Sequence, residues 1–192
     1  DKVQGSTTKN YVGYGAGVRY MFLDPLALKV SFEHSVRLPV ARELLGNGTT
    51  IYANVALEPE KSNNLNLSVF GTWHPATGHT LHYETNGFLR YVDNYIQTSV
   101  IEKEGMLQYV NDPAVHIKGV EGEIRYDWDG RLQFMANVSY QDARDQQKYK
   151  EDGKPSATYD NHVPNRPWLF GSAEASYTFR DLWKRGNRLR FG

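Results

Sequence analysis

The chain has 192 residues, 22 basic against 22 acidic side chains, and no cysteine. Balanced charge gives no electrostatic case for nucleic acid or an acidic partner. The lack of cysteine excludes a disulfide framework and thiolate metal sites and fits an oxidising compartment. No apolar run approaches the ~20 residues of a membrane helix, which leaves a membrane β-barrel open because half of each wall strand faces a wet lumen. The chain opens on Asp1-Lys2-Val3-Gln4, not on a basic and apolar leader, so the expectation is a mature chain or a piece cut from a longer protein.

Residues 1 to 10 read as a polar loop. Tyr11 to Leu23 is the first strand: Val12, Tyr14, Ala16, Val18, Tyr20 and Phe22 share one face, and Gly13, Gly15, Gly17, Arg19 and Met21 the other. The glycines lack the spacing of a dinucleotide fingerprint and no helix follows, so they line the inner face of a strand. Leu23-Asp24-Pro25-Leu26 is a turn. Ala27 to Arg37 is the second strand, with His34 packed on its apolar face. Residues 38 to 61 are a long connection around Gly46-Asn47-Gly48, and loops of that length are usually functional. Asn64 to Trp73 is the third strand. His74 to His79 is a short turn, and Thr80 to about Val100 a long fourth strand.

Glu102 to Gly105 turns the chain, and the return from Met106 passes Pro113 through an expected bulge. It continues into the clearest hairpin of the sequence. Val120, Gly122, Ile124, Tyr126 and Trp128 alternate with Glu121, Glu123, Arg125 and Asp127. Asp129-Gly130 is a type I′ turn signal. Leu132 to Tyr140 then alternates again, with only Met135 out of place. Side chains alternate faces along a strand, so this is a ribbon with one apolar and one hydrophilic face. Asp142 to Pro167 reads as a long, charged, solvated loop. Trp168 to Phe179 is the seventh strand, Arg180 to Asn187 a turn, and Arg188 to Gly192 the start of an eighth.

The connections near residues 24, 76, 129 and 183 are short; those at 38–61 and 142–167 are long. Short turns at one end and long loops at the other are the pattern of an outer-membrane barrel wall. Trp73, Trp128 and Trp183 fall at the short-turn end and Trp168 at the long-loop end. With Tyr20, Phe22 and Phe179 they are the expected membrane-interface aromatics, because an indole wants an apolar body and a wet N–H. The fold class is therefore all-β, an antiparallel up-and-down meander of about eight long strands forming part of a transmembrane barrel. A self-contained eight-stranded barrel and a soluble β-sandwich, with strands of about five or six residues, are the rival readings.

No enzyme constellation emerges, and the chain is read as no enzyme, with no catalytic residue, no metal ligand and no cofactor. His79 and His82 fall on opposite faces of a strand; only His82 and Glu84 share one, and a metal site needs more ligands. Glu121, Glu123 and Asp127 beside Arg125 are carboxylates lining a polar lumen.

Arg37-Leu38-Pro39, then Glu43-Leu44, then Asn54-Val55-Ala56-Leu57-Glu58-Pro59-Glu60-Lys61-Ser62 resemble the TonB-dependent outer-membrane receptors. These commonly carry an Arg-x-Pro…Glu-Leu segment followed by Asn-x-x-Leu-x-Pro-Glu-x-Ser. Gly119-Val120-Glu121-Gly122 and Pro164-Asn165-Arg166-Pro167-Trp168 look like later wall strands of that family. The resemblance covers most of residues 27 to 180. It implies a barrel of about 22 strands around an N-terminal plug, needing on the order of 500 residues. Residues 1–192 are then a fragment of the barrel domain without the plug or the remaining strands.

The resemblance implies active uptake of a scarce nutrient across the Gram-negative outer membrane. The nutrient is a ferric siderophore or similar iron complex, with haem, cobalamin or a glycan as alternatives. No histidine lies between Arg37 and Asn54, where haem receptors of the family typically carry one. The implied partners are outer-membrane lipid, a small nutrient ligand, and TonB through parts outside this chain; nucleic acid is not among them. Ligand contacts are expected from outer strand ends and loops. Arg37, Glu43, Tyr52, Asn54 and Tyr109 are the candidates, as polar or aromatic groups at those positions.

Overall fold

The computed structural model describes residues 9–23, 25–101, 105–149, 153–181 and 183–192. Its elements are β1 (Tyr14–Leu23), β2 (Leu26–Arg37), α1 (Ala41–Leu45), β3 (Ile51–Tyr52), β4 (Glu60–Trp73), β5 (His79–Ile101), β6 (Met106–Trp128), β7 (Leu132–Asp145), β8 (Leu169–Arg180) and β9 (Arg188–Phe191). All strands join one sheet in the order β1-β2-β4-β5-β6-β7-β8-β9, every neighbour antiparallel, with β3 added in parallel to β6. The seven successive strands of the meander from β1 to β8 are 10 to 23 residues long, far beyond those of a sandwich. Among the described residues β1 and β9 do not pair, so this sheet is an open wall.

Alternation decides the two faces. Val18, Val30 and Leu67 lie side by side on the apolar face, as do Leu65 and Leu89, and Val120, Tyr140 and Leu169. Val18 is 72% exposed, Leu67 50% and Val138 52%. A contiguous apolar surface of this extent is not what water tolerates. On the other face Ser68 Oγ donates to Asn86 Oδ1 at 2.9 Å and Asn137 Nδ2 to Ser172 Oγ at 2.8 Å. Met135 sits on this polar side, opposite Arg125 and Glu174.

The short turns are knitted sideways. Asp129 and Gly130 both have positive φ (50° and 60°) and Arg131 N donates to the Trp128 carbonyl at 2.7 Å, the geometry expected of a type I′ turn. Asp127 Oδ1 accepts from Gly130 N at 3.0 Å. Asp129 N donates to the Gly78 carbonyl at 2.6 Å and Thr178 N to the Arg131 carbonyl at 2.7 Å. The β6–β7 turn is thus fastened to the β4–β5 turn on one side and to β8 on the other.

The buried core is small and lies on the polar face towards the long-loop end. Phe88, Val92, Tyr95, Val115, Ile117, Ala143 and Val163 form it. Gly119 makes room for it: a Cβ there would collide with the Phe88 ring and the Tyr140 carbonyl. Val163 comes from the segment after β7, so that loop folds back across the sheet. The Arg166 guanidinium covers it, 5.3 Å above the Tyr95 ring, and donates to the Tyr95 hydroxyl.

Several sequence expectations are corrected. Tyr11 to Gly13 precede the first strand, and β4 starts at Glu60, because Glu60 and Lys61 already pair with Arg37 and Val36. There is no bulge at Pro113: the β5–β6 register is unbroken from His79↔Trp128 to Ile101↔Met106. The irregularity is at Asn94, which faces Pro113 with φ 55°. Residues 142–145 belong to β7 and are not solvated loop. Asp142 and Asp145 are buried because the returning segment covers them, with Val163 N bonded to the Ala143 carbonyl and Asp145 N to the Asn161 carbonyl. The expected loop at residues 1–8, most of the turn at 102–105, Asp24, Lys150, Glu151 and Asp152 lie outside the described residues.

Candidate functional site

The long connection between β2 and β4 is a built object, held by named bonds. Asn47 organises its tip: Oδ1 accepts from the backbone N–H of Thr49, Thr50 and Ile51 at 3.1, 2.9 and 2.8 Å, with Gly46 and Gly48 at positive φ on either side. Asparagine favours such local turns because its side chain mimics a backbone carbonyl. The chain then lies along β6. Leu107 N donates to the Thr50 carbonyl at 3.0 Å, Gln108 Nε2 to the Ala53 carbonyl at 2.9 Å, and Asn54 Nδ2 to the Tyr109 carbonyl at 2.9 Å. Asn111 closes the row: Oδ1 accepts from Glu58 N at 2.8 Å and Nδ2 donates to the Glu58 carbonyl at 2.9 Å. Ile51 and Leu57 are buried beneath it.

Arg37 anchors the root of this connection. Its Nε sits 2.5 Å from Glu60 Oε2, and its Nη1 lies 3.0 Å from both oxygens of Glu43. Glu60 and Glu43 together hold the guanidinium's pKa above its ordinary value, partly opposed by desolvation. Glu43 also accepts from Val40 N at 2.9 Å, and Glu60 from Ile96 N at 2.6 Å, so the ion pairs reach from β2 to β5.

The structure brings the sequence candidates together in bonded pairs. Arg37 pairs with Glu43, Asn54 N donates to the carbonyl of Leu44 at 2.8 Å, and Asn54 holds Tyr109. Tyr52 stands beside them in β3, opposite Gln108 and exposed. Arg37, Glu43 and Asn54 spend their polar atoms on the loop itself; Tyr52 offers exposed aromatic surface.

A cavity at the same end, of about 600 Å³, lies between the β5–β6 ribbon and the segment after β7. Gln97, Asp112, Asp145, Asn161, His162 and Asn165 line it, none of them singled out by the sequence. Asp112 and Asp145 are each 7% exposed and, among the described residues, have no ion-pair partner. Gln97 Nε2 donates to Asp112 Oδ2 at 3.0 Å, while Gln97 Oε1 is buried without a hydrogen bond. Burial, reinforced by the charge of Asp145 and opposed by the Ala114 N–H, pushes the Asp112 carboxyl up to about 6. Alternation conceals this site, because it steps by one at Asn94. Even-numbered Phe88 and Val92 share the core with odd-numbered Tyr95.

The predicted interface aromatics lie at the ends of the strands, except Trp183, which is in the β8–β9 turn. Trp73, Trp168 and Trp183 are exposed. Trp128 stacks on His79 at 5.8 Å, and Trp168 on His162 at 4.7 Å. Tyr20 meets Phe22, and Phe179 meets Tyr177 and Phe191, edge to face.

The fold has known relatives. It is similar to a structure titled copper transporter OprC (20% identity, TM-score 0.63), covering 87% of this chain and 24% of that one. It is also similar to a hemophore receptor HasR of Serratia marcescens, in a complex with its hemophore and heme (17%, TM-score 0.58, 88% and 29%). A third is the FrpB iron transporter of Neisseria meningitidis (17%, TM-score 0.52, 93% and 26%). The chain thus spans roughly a quarter of the length of each. No curated protein matches its sequence. The family model described as TonB dependent receptor-like, beta-barrel, matches residues 1–192, and the chain belongs to that family.

Proposed function

We propose that residues 1–192 are a wall segment of a receptor in the Gram-negative outer membrane that takes up a scarce nutrient, with a plug and further strands elsewhere in the parent protein. The observation that carries this is the apolar face: a band of exposed Val, Leu and aromatic side chains, backed by a hydrogen-bonded polar face, suits lipid on one side and water on the other. The long-loop end is extracellular and the short-turn end periplasmic. The nutrient is a ferric siderophore or a similar iron complex. The relatives named above carry copper, haem or iron in their titles, and the connection from Arg37 to Asn54 has no histidine to offer haem. The loop rooted on Arg37 and Glu43 and strapped to β6 by Asn54 presents Tyr52 to the ligand, and Tyr109 stands beside it. The chain itself performs no catalysis.

The test uses cells that make the parent protein. An antibody against residues 153–167 should detect a polypeptide far heavier than 21.9 kDa in the outer-membrane fraction. Deleting the gene should abolish accumulation of a radio-iron siderophore under iron limitation. A reactive band in the soluble fraction would end the membrane reading. Normal iron uptake with loss of cobalamin, haem or glycan uptake would replace the nutrient.

A further inference from the structure

Charge is balanced over the whole chain but not at its last turn. Residues 180–190 contain Arg180, Lys184, Arg185, Arg188 and Arg190 against the one acid Asp181. Two of the five cations are occupied: Arg180 reaches Asp129 Oδ2 at 3.5 Å and the Asp129 carbonyl, and Arg190 donates to Ser176 Oγ at 2.8 Å. Lys184, Arg185 and Arg188 are exposed and, among the described residues, have no ion-pair partner.

The acid is used to shape the turn. Asp181 Oδ1 accepts from Gly186 N at 2.5 Å, Asp181 N donates to the Asn187 carbonyl at 2.9 Å, and Asn187 N to the Lys184 carbonyl at 3.0 Å. Asp181 and Gly186 hold positive φ (57° and 94°). The turn therefore presents two free cations, Lys184 and Arg185, while Arg188 is the first residue of β9, opposite Arg180 and on the polar face with Arg190. Trp183 stands beside Lys184, 75% exposed. On the apolar face just above, Phe179 and Phe191 pack edge to face at 6.0 Å. The neighbouring short turn at Asp129–Arg131 carries one acid and one base, so the basic cluster is local to this one.

We infer that the β8–β9 turn binds anionic phospholipid headgroups, through Lys184 and Arg185 on the lipid phosphates and Trp183 at the interface. This rests on the reading of the chain as a membrane wall. A cationic cluster beside an exposed indole at the edge of an apolar band matches the electrostatics of an anionic leaflet and the place tryptophan takes at a bilayer surface. Two unpaired cations held on one turn gain from a row of negative headgroups what bulk water and salt would screen.

The experiment uses the intact receptor, incorporated into liposomes of phosphatidylcholine with one-fifth phosphatidylglycerol, extracted gently, and analysed for the lipids it retains. Wild type should retain phosphatidylglycerol several-fold above its bulk proportion, less at high salt. The double variant K184Q/R185Q should retain it near the bulk proportion. Equal enrichment in the variant overturns the assignment. So does enrichment that inorganic phosphate in the buffer abolishes, which would make the turn a general anion site. Flotation on pure phosphatidylcholine liposomes separates the underlying reading: a receptor that fails to float there is no membrane wall, and both conclusions fall. A variant that floats and melts like wild type is folded, so its lipid ratio is interpretable.

Discussion

Asn94 and Pro113 face each other across β5 and β6, and at that pair both strands exchange faces without any slip of register. Val92 and Tyr95 flank Asn94 yet share one core, and Asp112 on the near side of Pro113 reaches the charge of Asp145, beyond it. Proline has no N–H to give, and the Asn94 carbonyl instead accepts from Asn111 Nδ2 at 2.8 Å. The exchange turns the outer ribbon so that its polar and aromatic groups close over the core.

A left-handed residue suits asparagine and glycine but not a branched side chain. Asn94→Val should therefore cost about 1–3 kcal/mol and speed amide exchange over residues 95–111. Asn94→Gly should cost less, losing chiefly the 2.9 Å bond from Nδ2 to Glu58. Thermal unfolding of the parent receptor with exchange mass spectrometry reads both, and equal effects from the two variants would refute the account.

The Asp112 carboxyl titrates at about 6 in the fold against 3.8 in the open chain. The folded form holds its proton more tightly, so stability is fully present below about pH 4 and is lost as pH rises through 6. The outer ribbon should be looser at pH 7.5 than at pH 4.5, by about 1–2 kcal/mol after discounting for partial solvation. Asp112→Asn should flatten that slope. Exchange rates at residues 112–116 and 143–147, corrected for intrinsic pH dependence, are the measurement. An unchanged slope in the variant would place the titration elsewhere.

Arg37 holds two carboxylates from one planar group. Lysine keeps the charge but not the fork, so Arg37→Lys should lose about 1 kcal/mol at this 42%-exposed side chain. Cleavage of residues 38–59 by protease should rise. Arg37→Ala should loosen the loop further, leaving Glu43 and Glu60 without their shared cation. Digestion at wild-type rate in both variants would show that the asparagine bonds alone carry the loop.

Two glycines of β6 differ sharply. At Gly119 a side chain meets the Phe88 ring and a backbone carbonyl, whereas at Gly122 the nearest atom is Val138 Cγ1 at 3.8 Å. Gly119→Ala should destabilise by about 1–3 kcal/mol, and Gly122→Ala should be close to neutral. The thermal midpoints of the two variants decide it, and the reverse order would mean that Phe88 does not occupy that space.

The meander was legible because strand alternation runs through long stretches, above all Val120 to Tyr140 with Met135 the one exception, and because Asp129-Gly130 favours one turn geometry. The sequence placed Arg37, Glu43 and Asn54 at one strand end and its loop as candidate ligand contacts, but not their bonds within that loop. What stayed hidden depends on contacts distant in sequence. The face exchange needs Asn94 opposite Pro113, and a single strand cannot show its partner. Asp145 looked solvated in a charged run because only the returning Val163 reveals that it is covered. The short α1 is held by Glu43 on Arg37 and by Asn54 N on the Leu44 carbonyl, and the two-residue β3 by its pairing with β6, contacts that a single segment does not show.

The strapping of the β2–β4 connection to β6 has a mechanical consequence. Its bonds run from Thr50, Ala53, Asn54 and Glu58 to Leu107, Gln108, Tyr109 and Asn111. A tug on this segment is therefore delivered to the β5–β6 ribbon, three strands along the wall from β1, and is spread over four parallel links instead of peeling one hairpin open.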